Sequence, residues 1–368
     1  LLQAQKQATI HAKKNGMAKG RQLGSQHGYN LGRRDAIRMQ YLPDPPPARC
    51  MRVLYIAQGF HAIDGGIEKA LRHAVSEVTA GSPDQMLALA EQVRPDLMLV
   101  MNGLHGFPEN QGDQISRIRE LGTRTVLWFA DDPYFTDRSA SIAPYYDVVL
   151  THEQSCVPFY MGRGCRQVAY LPLAADTDVF RPQRVEHQYH TDICFIGVVF
   201  WNRAAFFDRI AHYLVGKNFK FAGGEWQRLQ NYQLLQHRIY EGFVPVEETA
   251  KYYSGAKIVI NLHRHHAHPT DNFNSLGIPA LSINPRTYEM AACGTLQLTD
   301  FRSDLAASYA PGKEIVVYHS PEDFIAKAEY YLTHEAEREA IALNALRRTL
   351  EQHSYTTRIQ QLLQLLGY

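Results

Sequence analysis

From Arg52 to the C-terminus, short apolar runs alternate with longer amphipathic stretches, and this alternation predicts parallel strands joined by crossover helices. Residues 52–57, 97–101, 125–129 and 148–151 read as strands of a first sheet, with helices over 66–78 and 114–121 between them. A proline-containing connection begins at residues 170–172 and leads into a second series, with strands at 193–197, 219–222, 258–262, 295–299 and 314–318. Helices at 321–332 and 335–352 follow, and a last helix at 359–366 is expected to cross back to the first unit. Such runs are apolar throughout because a parallel strand covered by helices on both faces meets no water.

Residues 1–42 break this pattern. They are rich in Gln, Lys and Arg, and carry Gly16, Gly20, Gly24, Gly28 and Gly32 at a constant spacing of four. On a helix that spacing lines the glycines along one stripe, over which a second backbone could approach closely. Each Gly costs a helix about 1 kcal/mol relative to Ala, so two readings stand: a self- or partner-associating helix, and a flexible basic arm. The run Pro43-Asp-Pro-Pro-Pro47 then ends any helix and acts as a stiff spacer.

At 368 residues the chain exceeds one comfortable core and suits two domains. Lys plus Arg (38) nearly cancels Asp plus Glu (37), which removes a global field for nucleic acid or an anionic membrane. Five cysteines without a CxxC pair argue against a disulfide framework and a structural zinc site, and read as buried thiols of a reducing compartment. No run reaches the roughly 20 apolar residues of a membrane span, and residues 1–42 lack the apolar core expected of a signal peptide. These features lead to an expectation of a cytoplasmic protein.

The most informative segment is Ser282-Ile-Asn-Pro-Arg286-Thr287-Tyr-Glu289-Met-Ala-Ala-Cys-Gly294, which opens a small-residue helix with a cation and a carboxylate. A helix N-terminus offers unpaired N–H groups and positive partial charge to a diphosphate, Arg286 adds a fork-shaped cation, and Glu289 can accept from both hydroxyls of a ribose. The segment resembles the donor-binding element of GT-B glycosyltransferases, in particular the spore maturation protein CgeB-like group, with its Arg-x-[Phe/Tyr]-Glu-x-x-Ala-Cys-Gly pattern. The resemblance runs in order over residues 50–368 and implies two Rossmann-like domains facing across a cleft.

It also implies a division of the chain. Residues 1–48 form the arm and spacer, 49–175 an acceptor domain, 176–352 a nucleotide-sugar domain, and 353–368 the returning helix. It assigns donor contacts to the Gly65-Gly66 pair, which resembles the Gly-Gly-Val-Glu loop of retaining enzymes, and to Gly197 and Arg203 in Phe195-Ile-Gly197-Val-Val-Phe-Trp-Asn-Arg203. A tight strand-to-helix turn and a surface arginine are the plainer readings of those two. Val244, by its backbone, His263 at a strand end, Arg286, Thr287 and Glu289 complete the donor set.

Strand ends of the first domain supply the catalytic candidates, because functional groups of open α/β sheets gather there. Asp131 in Trp128-Phe-Ala-Asp131-Asp132-Pro133-Tyr134 is the first choice for base or acceptor contact, with His105 beside it; one of the aspartates capping the next helix is the alternative. His152 and Glu153 end another strand. The run His263-Arg-His-His-Ala-His268 lacks the carboxylate or Cys of a spaced ligand set and reads as cleft lining, so no metal is assigned. One departure is notable: retaining relatives commonly carry a second Glu eight positions before the ribose Glu, and Leu281 stands there. The expectation is transfer of a hexosyl or N-acetylhexosaminyl group from a UDP-linked sugar to a hydroxyl acceptor, with no cofactor and with a link to the developing spore. The rivals are a sugar-nucleotide epimerase and a non-catalytic spore-surface protein that keeps the fold.

Overall fold

A computed structural model describes residues 2–43 and 47–368; residues 44–46 of the expected proline spacer lie outside them. The first sheet is six-stranded, in the order β2-β1-β3-β4-β5-β6, from β1 (Arg49–Ile56), β2 (Val75–Gly81), β3 (Leu97–Met101), β4 (Arg124–Phe129), β5 (Val148–Thr151) and β6 (Val168–Tyr170). The second has the order β12-β11-β10-β7-β8-β9, from β7 (Thr191–Ile196), β8 (Phe219–Gly223), β9 (Ile239–Glu241), β10 (Ala256–Asn261), β11 (Leu296–Asp300) and β12 (Val316–Tyr318). Neighbouring strands in both are parallel. This is the GT-B arrangement of two Rossmann-like domains.

Helices cover both faces of each sheet. A long α1 (Leu2–Tyr41) precedes the first domain, whose helices are α2 (His61–Ala74), α3 (Met86–Val93), α4 (Gln111–Glu120), α5 (Thr136–Ile142) and α6 (Cys156–Gly162). The second carries α7 (Trp201–Val215), α8 (Tyr232–Leu235), α9 (Val246–Gly255), α10 (Pro285–Ala292), α11 (Leu305–Ser308), α12 (Pro321–Thr333) and α13 (Glu335–Gln352). The last helix, α14 (Tyr355–Leu365), returns to the first domain and buries Tyr355, Ile359, Leu362 and Leu363 with α2 and the central strands. Fully apolar β3 is buried at every position, which is why it was legible.

Three readings are corrected. Residues 75–78 do not continue a helix: they open the edge strand β2, where Val75 pairs with Arg49 and Val78 with Val53. The helix before it starts at His61, five residues earlier than the Gly66 start read from sequence, so Gly65 and Gly66 sit inside α2. A Cβ on Gly66 would come within 2.3 Å of the Tyr355 ring, so this glycine lets α14 close onto α2. Finally, of the five cysteines, all free, Cys50 is exposed and four are buried.

The arm is one helix with two unlike halves. Its last turns dock on α13, where Arg34 Nη2 donates to both carboxylate oxygens of Glu339 at 2.8 and 2.9 Å, Asn30 donates to Glu335 at 3.2 Å, and Arg347 stacks on the Tyr41 ring. At Gly16 through Gly32, by contrast, an added Cβ would meet nothing within 4 Å.

Candidate active site

The C-terminal ends of the two sheets face one cleft holding a cavity of about 530 Å³, a size suited to a small-molecule site. Residues at the starts of four helices border it: Phe60 and His61 at α2, Phe200 at α7, Val244 and Val246 at α9, and Asn284 to Arg286 at α10. Each helix start carries unpaired N–H groups and a positive partial charge, so the cleft favours an anion before any side chain is counted.

The start of α10 is held by a chain of hydrogen bonds. The Asn284 side chain accepts from the Thr287 N–H at 3.1 Å, and Pro285 occupies the first helical position. The Asn284 N–H donates to His263 Nε2 at 3.1 Å, while His263 Nδ1 lies 2.5 Å from Asp300. Because Nε2 accepts, the imidazole proton sits on Nδ1, toward Asp300. Burial pulls the His263 pKa down against the opposing pull of Asp300, which favours the neutral imidazole. His263 and the fully buried Thr287, whose hydroxyl accepts from Asn261 at 2.9 Å, therefore shape the helix start from behind and do not line the cavity.

One turn of α10 puts Arg286 and Glu289 on the cavity wall. Arg286 donates to the Ile196 carbonyl and, at 3.2 Å, to the Tyr253 hydroxyl, which anchors the guanidinium to the end of β7. Glu289 is 7% exposed, and its carboxylate has no hydrogen-bond partner among the described residues. Burial pushes its pKa up to about 7 against the pull of Arg286. Arg203 is no surface arginine: it is buried, donates to the Leu262 and Val198 carbonyls at 2.8 and 2.7 Å, and lies under Phe195 and Phe200. Burial, with Arg286 nearby, lowers its pKa to about 10, which leaves it charged at neutral pH.

A third guanidinium escaped the sequence reading. Arg264, embedded in the histidine run, stacks on Tyr134 at 4.5 Å and on Phe200 at 4.4 Å, with no carboxylate in ion-pair range among the described residues. Its loop, residues 262–284, crosses to the first domain, where the Phe273 N–H donates to the Tyr134 carbonyl at 2.8 Å and Thr136 bonds Asn274 at 2.9 Å. Among the described residues no group of three His, Cys, Asp or Glu side chains is placed to hold a metal ion. Gly197 lies beside the cavity, not on it; its backbone is closely approached by Gly223, where an added Cβ would fall 2.0 Å from the Gly197 oxygen, so the glycine that this contact requires is Gly223. Gly65 borders a smaller adjoining pocket, and Gly66 is packed against Tyr355.

The opposite wall has different chemistry. Asp131 lines the cavity and accepts from Asn102 at 2.8 Å, with His105 Nε2 at 3.3 Å behind it. The structure thus brings the two catalytic candidates together, but His105 stands outside the lining. Neither aspartate caps α5, whose first residue is preceded by Phe135. Asp132 turns inward to Thr151 and Tyr160 at 2.6 and 2.7 Å, and burial raises its pKa to about 7. His152, at the end of β5, also borders the cavity.

Comparison with known proteins agrees with this geometry. Residues 203–364 match the family described as glycosyl transferase-like. The chain is 30% identical over 309 residues to the spore protein CgeB of Bacillus subtilis (strain 168), covering 82% of this chain and 94% of that protein. Among solved structures, the sucrose-phosphate synthase of Thermosynechococcus elongatus superposes with a TM-score of 0.59 at 12% identity, over 86% of this chain and 98% of that one. Anabaena HepE, in complex with UDP and glucose, gives 0.58 at 11% identity, over 86% and 99%. At these identities the two structures speak for the fold alone.

Proposed function

The chain belongs to the CgeB-like group of GT-B glycosyltransferases, and on that footing we propose that it moves a hexosyl or N-acetylhexosaminyl group from a UDP-linked sugar to a hydroxyl acceptor, without a metal ion. The observation that carries this reading is Glu289: a carboxylate buried on a cavity wall with no hydrogen-bond partner among the described residues, one turn from a cation, at the start of a helix. A buried carboxylate without partners is expensive unless a ligand supplies donors, and the two hydroxyls of a ribose supply them.

The remaining groups then take roles by charge. Arg203, Arg264 and Arg286, with the four helix starts, offset the negative charge that develops on the leaving diphosphate, the task a metal ion performs elsewhere. Because these donors are anchored before substrate arrives, they cost little reorganisation during the reaction. Val244, which borders the cavity beside the start of α9, offers its backbone to the base in this reading. On the facing wall Asp131, kept oriented by Asn102 and His105, accepts the proton of the attacking hydroxyl or positions it. HepE was crystallised with UDP and glucose, and a donor of that kind fits a cavity of about 530 Å³ lined by three guanidiniums. The relative is a spore protein, and that supports a link of this reaction to the spore.

Calorimetric titration with UDP-, GDP- and dTDP-sugars tests the donor, and turnover with and without EDTA tests the metal. UDP-sugars are expected to bind most tightly, with transfer undiminished by the chelator. Transfer abolished by EDTA and restored by manganese would refute the metal-free reading. Turnover of the donor with no acceptor consumed or hydrolysed would point to the epimerase instead.

A further inference from the structure

Among the described residues three imidazoles are buried to more than nine-tenths: His152, His263 and His353. Two of them use both ring nitrogens. His263 bridges Asp300 and the Asn284 N–H, and His353 lies between the Ser308 carbonyl at 3.2 Å and Arg358 at 3.3 Å. His152, 6% exposed, has no hydrogen-bond partner at either nitrogen among the described residues. The Asp132 carbonyl approaches its ring without reaching hydrogen-bond geometry. His152 is also the one of the three that borders the cavity, where it shares the lining with Asp131, Ser282 and Asn284. Native structures pair most such groups, and an unpaired one calls for an explanation such as a catalytic role or a bound water or ion.

We propose that His152 hydrogen-bonds a hydroxyl of the carbohydrate bound in this cleft, either the transferred sugar or the acceptor, and so acts as a substrate-contacting residue of the first-domain wall. This rests on the glycosyl-transfer reading above. A neutral imidazole carries one donor and one acceptor, which matches a hydroxyl, itself both. Burial lowers the His152 pKa and so favours the neutral form, although the carboxylates of Asp131 and Asp304 pull the other way. The Asp131 carboxylate makes its part of the cavity a poor place for a phosphate, which Arg203, Arg264 and Arg286 attract instead. The sequence marked His152 only as the end of a strand; its missing partners single it out.

The test uses the full chain with His152→Leu and His152→Gln, measuring thermal midpoint, UDP affinity and rate of transfer from the UDP-sugar on which the wild type is active. If the imidazole serves a substrate, His152→Leu keeps or raises the midpoint, because it removes an unpaired buried polar group. UDP affinity should stay within about twofold while transfer falls about tenfold to hundredfold, with partial recovery in His152→Gln. Undiminished transfer by a folded His152→Leu overturns the inference, and so does a midpoint lowered by more than about 5 °C in both variants, which marks a structural imidazole. A parallel tenfold loss of UDP affinity overturns it too, because the contact would then be to the nucleotide. A wild type with no UDP-sugar turnover refutes the glycosyl-transfer reading itself, a result separate from either variant.

Discussion

The two walls of the cleft differ in both charge and origin. The second-domain wall presents three guanidiniums and one carboxylate, while the first-domain wall presents a carboxylate and imidazoles. Arg286 and Glu289 sit three residues apart on one helix, whereas Asn102, Asp131 and His152 each end a different strand and meet only through the sheet order β3-β4-β5. A wall organised around anchored cations suits a ligand whose negative charge grows as a bond breaks. A wall of neutral and acidic groups suits a hydroxyl that must lose a proton. The asymmetry therefore matches a reaction between an anionic donor and an uncharged acceptor.

The comparison breaks most visibly at Asp131. Asp131→Ala is expected to lower transfer by about 10²–10⁴, the range of a lost general base, while leaving UDP affinity unchanged. Titration of the variant with UDP decides it: a large loss of affinity would mean that the two walls share the donor. The reverse pattern is expected of Arg286→Ala and Glu289→Ala, each weakening UDP-sugar binding about tenfold to hundredfold through loss of a charge-assisted hydrogen bond. Circular dichroism should show both still folded. If neither titration curve moves, the assignment of donor to this wall fails.

A pH series sharpens the contrast with a smaller effect. In the free protein burial holds the Glu289 pKa at about 7, above its ordinary value. Ribose hydroxyls donate to the ionised form, so the complex has the lower pKa, and affinity must rise with pH up to about 7 and level off above it. Between pH 8 and pH 6 the expected loss is up to about tenfold. A UDP-sugar is the proper probe, because its diphosphate diester does not titrate near neutrality. Glu289→Gln should flatten the profile; a slope that survives the substitution would locate the titrating group elsewhere.

What could be read from the sequence follows the same division. Central strands announced themselves because both faces are covered, whereas the edge strands β2, β6 and β9 are short or partly polar and two of them passed as connections. The helix of Arg286 and Glu289 was legible because a helix start and its charges are local. Gly66 was not, since its reason is the ring of Tyr355, brought there by the last helix of the chain. Arg264 hid in a run of histidines, and only the crossing loop shows that it stacks on Tyr134. Burial and pairing also separated residues that sequence treated alike: His263 holds a helix start from behind, while His152 is left without a partner.

The smallest effect on transfer is expected from the arm, whose two halves repeat the contrast between bound and unbound surface. Residues 13–22 and 24–29 are exposed, and the glycine stripe has open space around it. With about 1 kcal/mol lost per Gly relative to Ala, this half has little reason to stay helical unless something packs on it. Association through residues 1–42 remains a proposal, and the structure narrows where to cut. Removing residues 1–26 should leave transfer and thermal midpoint unchanged while altering the mass seen by light scattering. Removing residues 1–42 strips Arg34 from Glu339, whose side chains are 11% and 10% exposed, and should lower stability by about 1–3 kcal/mol. An unchanged mass after the shorter cut would end the case for self-association. Lost transfer after that cut would place the arm in the cleft.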